Sequence, residues 1–93
     1  MEGEEAYRLG DYEKALEHFR PLAKKGDPSA CFYLGQMFEK SAGVPQDYVK
    51  AYVLFDLAAN FEALYPANEA KARIHKLMSA EELKEARRIT SSD

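Results

Sequence analysis

Apolar positions in this chain recur at helical spacing. After Asp11 they are Tyr12, Ala15, Leu16, Phe19, Leu22 and Ala23, a stripe with the 3.6-residue period of one helix face. A shorter helix is expected before it, from Glu2 to Leu9. Its acidic residues sit at the N-terminal end, where the helix dipole favours them, and Gly10 closes it. Asp11 is placed to cap the second helix, which runs to about Lys25 with Lys24 and Lys25 in its last turn. Pro21 lies inside this stripe and predicts a bend or local loosening. Gly26-Asp27-Pro28 stops one helix and starts the next: Gly terminates, Asp caps, and Pro suits the first helical position. A third helix is expected from Pro28 to about Lys40, followed by a loop, Ser41 to Gln46, that contains Gly43 and Pro45. Asp47 caps a fourth helix running to about Glu62. Pro66 can start a fifth, ending near Leu77. Ser79-Ala80-Glu81-Glu82 fits a capping box for a last helix to about Thr90. No strand pattern competes, and helices joined by short loops imply antiparallel neighbours.

The pattern repeats. A shift of 36 residues lays Asp11, Tyr12, Lys14, Ala15, Phe19 and Ala23 on Asp47, Tyr48, Lys50, Ala51, Phe55 and Ala59, six identities in 13 positions. A period of this size marks stacked helix pairs, each with an apolar face it cannot bury alone. The fourth helix adds a second stripe, Val53, Leu54, Leu57, Phe61 and then Leu64, where the second helix has Glu17, His18, Pro21 and Lys25, with no counterpart for Leu64. It must therefore bury two faces. Ile74, Leu77, Leu83, Ala86 and Ile89 are the expected cover. The last helix reads as a cap with Lys84, Glu85, Arg87 and Arg88 turned to water. The rival reading of the second stripe is a dimer interface.

Two stretches resemble a known family. Ala30-Cys31-Phe32-Tyr33-Leu34-Gly35-Gln36-Met37-Phe38 is one. Gly43-Val44-Pro45-Gln46-Asp47-Tyr48-Val49-Lys50-Ala51, with Ala58-Ala59, is the other. Both are similar to the Sel1-like repeat, a relative of the tetratricopeptide repeat with a longer loop inside the helix pair. The run from Met78 to Ile89 resembles the tail that follows such repeats in bacterial proteins. There are departures. Ser41 stands where the family usually has a loop glycine, which predicts a stiffer or differently shaped loop. The stretch Glu62 to Ala67 is longer than the usual turn. The first unit has no long loop.

The resemblance implies an all-α, right-handed α-α superhelix: a solenoid of about two helix-pair repeats plus a C-terminal capping helix. The units would be residues 2–26 and 27–64, with C-terminal helices at 66–90, in a single domain. It also implies protein–protein interaction without enzymatic activity. Similar proteins often begin this way just downstream of a secretion signal. That favours a periplasmic or secreted home over the cytoplasm if a signal peptide has been removed.

Composition narrows the function classes. The 93 residues are 46% hydrophobic and 31% charged, which suits a folded soluble domain. A net charge of −3 gives no support to nucleic-acid binding, which favours a basic face. No apolar run approaches the ~20 residues of a membrane helix, so no membrane insertion is expected. One cysteine, Cys31, excludes an internal disulfide and reads as a small, partly buried apolar residue. His18 and His75 have no partners at ligand spacing, so no metal site is expected. Glu4/Glu5 and Glu81/Glu82 are explained by helix N-termini. The glycines match no phosphate-cradling motif, and no cofactor is expected. Gly35, mid-helix, predicts a close helix crossing.

One candidate surface remains. In stacked helix pairs the first helix of each pair lines the concave side. Aligning Leu9-Gly10, Leu34-Gly35 and Ile74-His75 places Arg8, Tyr33 and Arg73 at equivalent positions, with Gln36, Met37, Lys40 and Lys76 one turn on. The stripe has an aromatic centre and basic flanks on an otherwise acidic protein, and Tyr and Arg are enriched in binding hot spots. It is expected to bind an acidic or C-terminal peptide segment of a protein partner as a charge-assisted clamp. The competing reading is a solvated face that keeps the chain soluble. A monomer is expected over a homodimer. The alternative function is a structural or regulatory subunit that dimerises or docks through the extra stripe of the fourth helix.

Overall fold

The computed structural model describes residues 2–59 and 66–91. They form α1 (Glu2–Leu9), α2 (Tyr12–Lys24), α3 (Pro28–Lys40), α4 (Tyr48–Ala58), α5 (Ala67–His75) and α6 (Ala80–Ser91), with no strand among the described residues. Three helices begin in the same way, on an aspartate whose carboxylate accepts from the amide three residues on. The distances are 3.3 Å for Asp11 and Lys14, 2.9 Å for Asp27 and Ala30, and 3.0 Å for Asp47 and Lys50. The predicted capping box opens α6: the Ser79 amide donates to Glu82 at 2.8 Å, and the Glu82 amide donates to the Ser79 hydroxyl at 3.1 Å.

Some boundaries differ from those expected. α2 runs uninterrupted through Pro21. Proline denies an amide hydrogen to the Glu17 carbonyl, but both residues are exposed, so water can take that place. α5 starts at Ala67, with Pro66 in the cap position, and ends at His75, because Leu77 and Met78 turn back onto Ile74 and His75. The expected end of the fourth helix at Glu62, the long connection after it, and Phe61 and Leu64 lie outside the described residues. Ser41 adopts the left-handed conformation, φ 57°, that glycine enters most readily. That geometry costs a side-chain-bearing residue about 1 kcal/mol, and the bond from the Ser41 hydroxyl to the Val44 carbonyl at 3.0 Å offsets part of it.

Two apolar clusters make the core, and α3 belongs to both. Ala30, Leu34 and Met37 join Ala6, Ala15, Leu16, Phe19, Ala42 and Val44. Cys31 and Phe32 join Ala51, Phe55, Ala58, Ala67, Ala70, Ile74, Met78 and Ala86. Phe19 and Phe55, equivalent in the 36-residue repeat, are both fully buried, each worth roughly 1.5–3 kcal/mol by transfer from water. Each has a glycine pressed against it. A Cβ on Gly3 would lie 2.8 Å from Phe19, and one on Gly35 would lie 2.9 Å from Phe55. Gly35 therefore marks the close crossing of α3 and α4 that its mid-helix position predicted.

α6 packs on α4 through Ala86, which is fully buried, and Leu83. The rest of the expected cover is only partly enlisted. Ile74 is buried, but Leu77 is 57% exposed in the α5–α6 turn and Ile89 is 37% exposed. Of the second stripe, Val53 and Leu54 are half-buried and Leu57 is 48% exposed.

Candidate interaction surface

The odd-numbered helices meet along one face. α3 runs between α1 and α5, and side chains reach across on both flanks. On the α1 side, the rings of Tyr7 and Tyr33 meet edge-on with centroids 6.0 Å apart, and Tyr7 leans on Tyr12 at 5.8 Å. Tyr33 is held in place by stacking on Phe19 at 5.5 Å and by an edge contact with Phe32. On the α5 side, Arg73 forms a two-point ion pair with Glu39. Its Nε and Nη2 each donate at 2.7 Å to one carboxylate oxygen. Glu39 is only 8% exposed, whereas the Arg73 side chain is 49% exposed. The Glu39 backbone is fixed as well: its carbonyl accepts from Gln46 at 2.9 Å, and the Phe38 carbonyl accepts from the Asp47 amide at 3.0 Å. The loop between α3 and α4 is thereby fastened to the end of α3.

The electrostatics follow from this packing. The hydrogen bonds of Glu39 hold the Arg73 guanidinium above its already high pKa. Burial pushes the Tyr7 phenol up, and the potential negative charges of Tyr12, Glu39 and Tyr33 add to the effect. Burial likewise raises the Cys31 thiol, and Asp27 contributes. Cys31 is fully buried, as a small apolar residue would be.

The predicted stripe is realised in part. Tyr33, half-buried Gln36 and Arg73 lie along or across α3 as described, and exposed Arg8 and Lys40 make no ion pair with the described residues. Met37 is a correction: it is fully buried in the cluster of α1, α2 and α3 and offers no exposed surface. Arg73 carries its charge into the stripe already paired, because Glu39 neutralises it. Lys76 lies beyond the end of α5, in a shallow depression with Tyr52 and His75. The expected alignment is also displaced. Gly3, not Gly10, is the counterpart of Gly35, since both press on the repeat phenylalanine. That register sets Arg8 against Lys40, each in the last turn of the first helix of its pair. Glu39 and Tyr7 were missed. Glu39 is three residues from Gln36 and six from Tyr33, and its acidic side chain does not stand out in a stripe of basic and aromatic residues.

Helical hairpins stacked in series, with a central helix shared between two cores, define an α-solenoid repeat protein. The chain belongs to the Sel1 repeat family, whose model matches residues 1–27 and 28–60. Repeats of this family mediate protein–protein interaction, and the family is one of noncatalytic scaffolds. No curated protein and no solved structure gives a significant match to the chain. Among the described residues, no helix is long and apolar enough to cross a membrane, and no cluster of three or more His, Cys, Asp or Glu could hold a metal ion.

Proposed function

We propose that the α1–α3–α5 face binds a peptide segment rich in carboxylates, presented by a protein partner. The observation that carries this reading is the Arg73–Glu39 pair. Glu39 occupies two of the guanidinium nitrogens and fixes the plane of the group, leaving Nη1 with no hydrogen bond to the described residues. A guanidinium held in this way loses little side-chain entropy when it engages a carboxylate. Tyr7 and Tyr33 supply a rigid aromatic surface beside it. Arg8 and Lys40, at equivalent positions of the two repeats, supply positive charge that no described residue pairs. Repeat units of about 2–26 and 27–64 build the surface, the helices of about 66–90 close the stack, and the protein acts as a monomer.

The test is selection of a displayed random-peptide library on the intact chain, with the enriched peptides then measured by fluorescence anisotropy. Charge reversal is placed at Arg8→Glu and Lys40→Glu. Tyr33 stacks on Phe19 and Arg73 neutralises Glu39, so replacing either would disturb the fold along with the surface. Enriched peptides should be acidic, should weaken as salt is raised, and should lose about tenfold on the double reversal. Enrichment of neutral or basic peptides, or affinity unchanged by the reversal, refutes the reading.

A further inference from the structure

A second surface lies on the other side of α3. α2, α4 and the end of α6 enclose an apolar groove of about 590 Å³ whose floor is α3. Leu34 and Phe38 form the floor, Val49, Val53 and Leu54 one wall, and Ile89 closes an end. The rim is basic. Arg20 and Lys24, one turn apart on α2, face Lys50 on α4, whose ammonium sits 5.3 Å above the Phe38 ring. No acidic residue is among the described residues that line the groove. Three cations around an apolar trough, on a chain whose net charge is −3, form a local field opposite to that of the whole.

The same wall already holds one helix. α6 lies on α4 through Leu83 and Ala86, an amphipathic helix with Glu81 and Glu82 in its first turn. Its Ile89 reaches into the groove, so the trough continues a helix-on-helix contact that the fold itself makes. Two helix walls over an apolar floor fit a third helix, with ridges seated between α2 and α4.

We infer that this groove is a second docking site, taking an amphipathic helix of a partner protein whose apolar face is flanked by Asp and Glu. Apolar anchors at i, i+3 or i+4, and i+7 would enter the trough. The carboxylates would meet Arg20 and Lys24 on one side and Lys50 on the other. The site is separate from the α1–α3–α5 face and stands or falls without it.

A phage library of 18-residue helix-forming peptides, with both the apolar and the charged positions randomised, is selected on the intact chain. The enriched peptides are mapped by amide and methyl NMR shifts. The expected sequences carry the apolar spacing with acidic flanks, and shift Leu34, Val53, Leu54 and Ile89. Arg20→Glu with Lys24→Glu, both exposed, should weaken them about tenfold, whereas Arg8→Glu with Lys40→Glu should leave them unchanged. Basic or non-helical winners, shifts confined to another face, or affinity unaffected by the α2 reversal overturn the proposal. So does sedimentation showing that the groove pairs two copies of this chain, abolished by Val53→Glu. So does decanoate binding at these residues while no peptide does, which would make it a pocket for an amphipathic small molecule.

Discussion

Replacing Gly35 by alanine sets two opposed effects against each other. Glycine inside a helix costs about 1 kcal/mol relative to alanine, so propensity alone makes Gly35→Ala stabilising by that amount. The crossing of α3 and α4 opposes it. The added methyl would stand 2.9 Å from Phe55 Cε1 and 3.0 Å from its Cδ1. Phe55 is fully buried among Phe32, Ala51, Ile74 and Ala86, so its ring has no open space to move into. Overpacking of this kind costs about 1–3 kcal/mol. The balance is a net loss of about 1 kcal/mol. Urea unfolding followed by circular dichroism reads it as a midpoint lowered by roughly 1 M, with the slope near 1 kcal/mol/M unchanged. Ala72→Gly, at an exposed position of α5, calibrates the propensity scale in the same protein. Adding Phe55→Leu to Gly35→Ala should make the second change cost less than it does alone, because the crowded atoms are then absent. A Gly35→Ala midpoint raised by the full propensity gain would refute the close-crossing account and, with it, the paired glycine–phenylalanine register of the two repeats.

Further outcomes follow from the same contacts. Arg73→Ala strips a carboxylate that is 8% exposed of its partner and should lower stability by about 1–2 kcal/mol, discounted because the arginine is half in water; replacing Arg73 and Glu39 together with methionine should recover most of the loss, measured by the same unfolding assay. Cys31 should react with a thiol reagent only through opening of the core, at a rate roughly a thousandfold below that of the urea-unfolded chain; native labelling at the unfolded rate would contradict its burial. The Tyr7 phenol is raised above its ordinary value of 10.0, so its contribution is intact below pH 10 and is lost as pH rises past that value, where the unfolded chain ionises first. Thermal melts from pH 8 to 11, in a Cys31→Ala background that removes the raised thiol, should therefore show a shallower alkaline decline for Tyr7→Phe than for Tyr7.

The fold was legible where local chemistry decides it. Asp11, Asp27 and Asp47 cap because a short carboxylate reaches free amides whatever the tertiary context, and the Ser79–Glu82 box forms for the same reason. The 36-residue identity of Phe19 and Phe55 revealed the repeat, since burial of a large ring is a demand that the sequence states directly. The interaction surface was harder to read. Which side of α3 a residue faces is set by neighbours on two flanks, so Met37 shares helical spacing with Tyr33 and Lys40 yet turns into the core. Arg73 reads as a free cation until Glu39, 34 residues earlier, is seen beside it. The alignment that put Gly10 against Gly35 matched glycines by their neighbours in sequence. The real equivalence of Gly3 and Gly35 depends on what each helix presses against.

That α3 serves two cores has a consequence for how the chain is made. When synthesis has passed α3 but α4 is still inside the ribosome, the hairpin of α1 and α2 can already claim Ala30, Leu34 and Met37. Cys31 and Phe32, which await α4 and α5, face the cytosol or the translocation channel bare. The vulnerable species is thus a half-dressed helix whose exposed side is the one destined for the later core. Slowing elongation while α3 has emerged and α4 is still inside the ribosome would lengthen that exposure, and chaperone occupancy on stalled chains should peak in that window.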